Sequence, residues 1–125
     1  MESRTATAMI ATMMLAVILL VWARATQAAL GVVEQAYEIE LWMVERWPLG
    51  DAGSIVLRPC EECSSVVLRV SADTAYRRSG SAVNISREEM LRIKAMLGSD
   101  TGALVYVYYR PDDDTATRIV LDTDD

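Results

Sequence analysis

Gly53-Ser-Ile-Val-Leu-Arg-Pro-Cys60-Glu-Glu-Cys63-Ser-Ser-Val-Val-Leu-Arg-Val-Ser71 is the stretch whose reading decides the fold. Two runs of β-branched and aliphatic residues flank a Cys-x-x-Cys, the pattern of a β-hairpin with a sulfur pair at its tip. In the second run Val66, Leu68 and Val70 alternate with Ser65, Val67, Arg69 and Ser71, the period of a half-buried strand. Facing positions beside a tight turn lie close enough for a disulfide, and an oxidising compartment favours one. A Cys60–Cys63 disulfide is therefore expected.

Strand patterns continue outward in both directions. Tyr37-Glu-Ile-Glu-Leu-Trp-Met-Val44 alternates cleanly and reads as one strand. Ala75-Tyr-Arg-Arg78 and Ser81-Ala-Val-Asn-Ile85 bracket Ser79-Gly80, the layout of a second, smaller hairpin. Ser86-Arg-Glu-Glu89 has the form of a capping box, with Met90, Ile93 and Leu97 following at helical spacing and Gly98 as the stop. Ala103 to Arg110 and Thr117 to Asp122 pair back across an acidic turn as a closing hairpin. Strands, one helix and strands again, without βαβ alternation, predict an α+β fold. Its sheet is expected to be mainly antiparallel, with about five strands and one short helix.

Ahead of this domain lies an apolar stretch. Residues 5–23 carry no charge, and Ala23-Arg-Ala25 and Thr26-Gln-Ala28 supply small-x-small ends. This is the build of a signal peptide, residues 1–28, leaving one domain over residues 29–125. The alternative is an uncleaved inner-membrane anchor, in which residues 5–23 would be the membrane contact. Either reading predicts export to the periplasm or cell envelope.

Charge and composition narrow the chemistry. Twelve basic against eighteen acidic residues give a formal charge of −6, which argues against a phosphate backbone as partner. There is no histidine, so the commonest general base and metal ligand are both missing. Cys60-x-x-Cys63 also resembles half a zinc knuckle, yet a structural zinc site wants four ligands. Neither a metal nor a cofactor is expected, and no catalytic constellation is visible.

Candidate binding residues come from a local reversal of charge. Between Arg69 and Leu97 basic side chains outnumber acidic ones, and Arg77 and Arg78 beside Tyr76 suit an acidic partner, a carboxylate ligand or anionic headgroups, the alternative being pairing with the chain's own acidic hairpin and tail. Trp42 and Trp47, with Pro48, are either an exposed aromatic patch or part of the core. The expected function is a non-enzymatic binding or accessory module whose partner is another envelope protein. Two alternatives are a thiol-disulfide or metal-handling protein acting through Cys60 and Cys63, and a membrane-tethered subunit of an envelope complex.

Overall fold

The computed structural model describes residues 33–98 and 102–123, and all but Val33 belong to one compact unit, Glu34–Asp125. The expected export segment lies outside the described residues. Among those described, no helix is long and apolar enough to cross a membrane.

The unit is sheet-rich α+β with one helix. Its strands are β1 (Gln35–Glu40), β2 (Val44–Arg46), β3 (Gly53–Leu57), β4 (Val66–Val70), β5 (Ala75–Arg78), β6 (Asn84–Ile85), β7 (Leu104–Arg110) and β8 (Thr115–Asp122). The helix α1 spans Arg87–Leu97. All eight strands join one sheet with the lateral order β1-β7-β8-β4-β3-β2, and β5 and β6 branch from β8. The expectation of about five antiparallel strands is corrected on two counts. Among the described residues there are eight, and the sheet is mixed, because β4 and β5 both run parallel to β8.

The predicted strand over residues 37–44 is also corrected. It breaks at Leu41–Met43, a single 3-10 turn, into β1 and β2. These two strands occupy opposite edges of the lateral order. Six strands laid flat at ~4.8 Å spacing would hold those edges ~24 Å apart. The four residue steps from Glu40 to Val44 reach at most ~14 Å. The sheet must therefore curl towards a barrel, and the turn forms its corner. Two backbone bonds stitch that corner, Leu41 N–H to the Ala103 carbonyl at 2.8 Å and Arg58 N–H to the Met43 carbonyl at 2.9 Å.

Curling separates an inner and an outer face. Ile39, Val105, Val107, Ile119, Leu121, Leu68, Ile55 and Leu57 point inward and are almost wholly buried. The alternate positions Glu38, Tyr106, Tyr108, Arg118 and Val120 lie outward, as the period of 2 requires.

β8 is the strand on which this arrangement depends. One of its edges carries β7, with Val107 opposite Ile119. The other carries β4 at Thr115 and then β5 from Arg118 to Leu121. β4 and β5 are thus one lane of the sheet, interrupted by residues 71–74. Thr74 fills the interruption, its hydroxyl donating to the Ala116 carbonyl at 2.7 Å and accepting from the Ser71 N–H at 3.0 Å.

The helix begins and ends where the sequence places it. Ser86 is the N-cap, its Oγ accepting from the Glu89 N–H at 3.1 Å. Gly98 has φ of +70°, a conformation open to glycine and unfavourable to other residues. Met90 is the helix residue that is fully buried, while Leu91, Ile93 and Leu97 pack partly against the core. Ser86→Ala removes the cap and is expected to cost ~1 kcal/mol. Thermal unfolding should then shift down by roughly 4–8 °C. An unchanged midpoint would show that the Ser86 hydroxyl does not hold the helix start.

Candidate functional site

The hairpin of β3 and β4 is present as expected, with Ile55 opposite Leu68 and Leu57 opposite Val66. Its tip differs from a tight two-residue turn. Residues 58–65 form a longer loop, and the sulfur pair closes a turn inside it. The Cys60 and Cys63 Cα atoms are 5.0 Å apart across the disulfide, and the Cys63 N–H donates to the Cys60 carbonyl at 3.1 Å.

Both feet of this loop meet one carboxylate. Glu45 on β2 receives Arg58 Nη2 at 2.6 Å and the Ser65 hydroxyl at 2.6 Å. The Ser65 hydrogen bond, aided by the charge of Arg58, holds the Glu45 carboxyl below its ordinary value of 4.5. A lowered folded pKa means that the clamp's contribution is complete above about 4.5 and is lost as pH falls through the folded value. Amide exchange in residues 58–65 should therefore speed up on acidification below pH ~4.5, beyond the intrinsic pH dependence of exchange. Glu45→Gln should abolish that extra step. A loop equally protected in acid and at neutrality would exclude the clamp.

The chemistry available at the loop is limited. Arg58 is paired with Glu45, and Glu61 and Glu62 lie between the sulfurs. Such surroundings lack the cation or helix N-terminus that stabilises a thiolate, so they favour the closed disulfide. Replacing both cysteines by serine is expected to lower stability by no more than ~2–3 kcal/mol, because the closed ring is small. A variant that fails to fold would show a larger role. Beside the loop a shallow recess of about 530 Å³ is lined by Glu40, Trp42, Met43, Pro59, Cys60, Glu61 and Glu62. Among the described residues no group of three or more Cys, Asp or Glu side chains is placed to hold a metal ion.

The expected binding residues are distributed over different surfaces. Trp42 is half exposed and its indole N–H donates to Glu40 at 2.6 Å, which places it beside the disulfide loop. Trp47 and Pro48 are buried, and the Lys94 ammonium lies 5.9 Å from the Trp47 ring. Tyr76 is buried on the inner face, opposite Ile119. Burial pushes its hydroxyl pKa up, against the pull of the Arg87 charge. Arg77, one residue on, lies outward.

Arg77 and Arg78 do meet other groups on the outer face. They line a groove of about 350 Å³ together with the 79–81 turn, Tyr106, Tyr108, Arg118, Val120 and Asp122. The strand register puts Arg77 beside Val120, Val120 beside Tyr106, and Arg118 beside Tyr108. Arg77 is fixed by its Nε, which donates to Asn84 Oδ1 at 2.7 Å. Arg118 lies over the Tyr108 ring at 3.9 Å and meets the Glu34 carboxylate at 3.5 Å, while its buried Nε has no hydrogen-bond partner among the described residues. The groove of this acidic protein is thus lined by three guanidinium groups and one carboxylate, Asp122, with Glu34 meeting Arg118 beside it.

Tyr106, Tyr108 and Arg118 were not among the residues singled out in the sequence. The tyrosines were within reach, because Val105 and Val107 alternate with them. Arg118 joins them only through the pairing of β7 with β8. Comparison with protein-family models, curated proteins and solved structures finds no significant match to this chain.

Proposed function

We propose that residues 1–28 direct the chain to the cell envelope, and that the folded unit acts there as a non-enzymatic binding module. Its ligand is a carboxylate-bearing segment of another envelope protein, held in the groove between Arg77, Arg78, Arg118, Tyr106 and Tyr108. The observation that carries this reading is the concentration of three arginines beside two tyrosines on a molecule of net charge −6. Guanidinium groups bind carboxylates through planar, charge-assisted hydrogen bonds, and tyrosine faces supply contact area at low entropic cost. The chain's own Glu34 already places a carboxylate on Arg118.

Two measurements test the proposal. Cell fractionation should place the protein outside the cytoplasm, and a soluble cytoplasmic protein with residues 1–28 intact would remove the export half. A hexaglutamate peptide titrated into the protein should perturb the Tyr106 and Tyr108 resonances, with affinity falling steeply as salt rises. Arg77→Gln with Arg118→Gln should weaken that binding by roughly tenfold or more, the loss expected for charge-assisted hydrogen bonds. Unchanged affinity in the double variant would overturn the groove as the binding site.

A further inference from the structure

The disulfide loop and the arginine groove lie at opposite ends of one lane of the sheet. The loop enters β4 at Val66, and Arg69 on β4 stands beside Thr115 of β8. Further along β8, Val120 stands beside Arg77 in the groove. Counting three steps along β4 and three to five along β8, at ~3.3 Å each, separates the loop's base from the groove by roughly 20–25 Å. A rigid loop therefore cannot reach the groove of its own molecule.

It is well suited to the groove of another. Glu61 and Glu62 are adjacent and exposed, and among the described residues neither has an ion pair or hydrogen bond. The loop that carries them is held in shape by the disulfide, the 60–63 turn and the Glu45 clamp. Preorganisation of this kind lowers the entropy lost on docking. In the groove, no described acidic side chain pairs with Arg77, and the buried Arg118 Nε lacks an acceptor.

We infer that a second copy of this chain is a partner of the groove: the Cys60–Cys63 loop of one copy places Glu61 and Glu62 against Arg77 and Arg118 of the next. This inference rests on the groove reading above. The contact joins two different surfaces, so it is head-to-tail, and an open assembly keeps one free loop at one end and one free groove at the other for further copies. The net charge of −6 opposes association at low salt. Near physiological ionic strength that repulsion is screened beyond ~8 Å, while the short carboxylate–guanidinium contacts persist.

Sedimentation velocity of the purified full chain tests this. For the wild type the weight-average sedimentation coefficient should rise with concentration. Glu61→Gln with Glu62→Gln should weaken self-association at least tenfold, as should Arg77→Gln with Arg118→Gln. An equimolar mixture of the two variants should form a one-to-one dimer and stop there, since a single complementary pair of surfaces remains. Circular dichroism melting of each variant verifies that it is folded, and Glu61 and Glu62 are exposed. A wild type that stays monomeric, or variants that associate as the wild type does, would overturn the inference. A monomeric wild type that still binds hexaglutamate through Arg77 and Arg118 would leave the groove reading standing. Loss of both would remove the two together.

Discussion

Thr74→Val is expected to cost about 2–4 kcal/mol, because one buried and one half-buried backbone group lose their partner at once. The Thr74 hydroxyl donates to the Ala116 carbonyl and accepts from the Ser71 N–H, where the β4–β5 lane is interrupted. Thr74 is 6% exposed and Ala116 1%, so water does not replace the hydroxyl at the Ala116 carbonyl in the folded state. Valine preserves the shape and supplies neither bond. The melting temperature should fall on the order of 10–25 °C for a unit of this size. Thr74→Ser keeps both bonds and gives up one methyl group, a loss of about 1 kcal/mol. The separation between the two variants is the diagnostic quantity. Equal melting temperatures would assign the effect to the methyl group and exclude the hydroxyl.

Met90→Ala should be comparably costly, at about 2–5 kcal/mol for a fully buried large-to-small change. Its consequence differs in kind. Met90 is the helix side chain with no exposure, and the rest of the helix is tied to the core by partly buried contacts. Removing it should loosen the helix from the sheet before the sheet itself opens. Native-state hydrogen exchange should show α1 amides losing more protection than those of β3, β4, β7 and β8. Uniform loss of protection across both would mean that helix and sheet open as one unit.

Local patterns in the sequence specified the elements far better than their partners. The β3–β4 hairpin, the β5–β6 pair, the closing hairpin and the limits of the helix all rest on period, turn chemistry or capping within a dozen residues. The corner at Leu41–Met43 was hidden because Leu41 remains buried and Trp42 exposed, so the alternation runs into the bend and breaks only at its end, where Val44 is buried. Nothing local marks the parallel pairing of β5 with β8, whose paired residues lie some forty positions apart. The candidate site divides in the same way. Arg77 and Arg78 stood out by charge, and the CxxC by composition, whereas Tyr76 and Arg77 are sequence neighbours sent to opposite faces by strand alternation. Trp42 and Trp47 sit on either side of β2, one beside the disulfide loop and the other in the core. Arg118 acquires its setting from Tyr108, across a hairpin.

The central place of β8 also fixes when this protein can fold. Of the described strands it is the last to be synthesised, yet β7, β4 and β5 all pair with it and are joined into one sheet through it. Until it emerges, β1 and β7 cannot join β3 and β4, and no inner face is enclosed. The earlier segments are left as short hairpins, which are marginal in water. Long-range pairing of this kind delays the rate-limiting closure until β8 has been made.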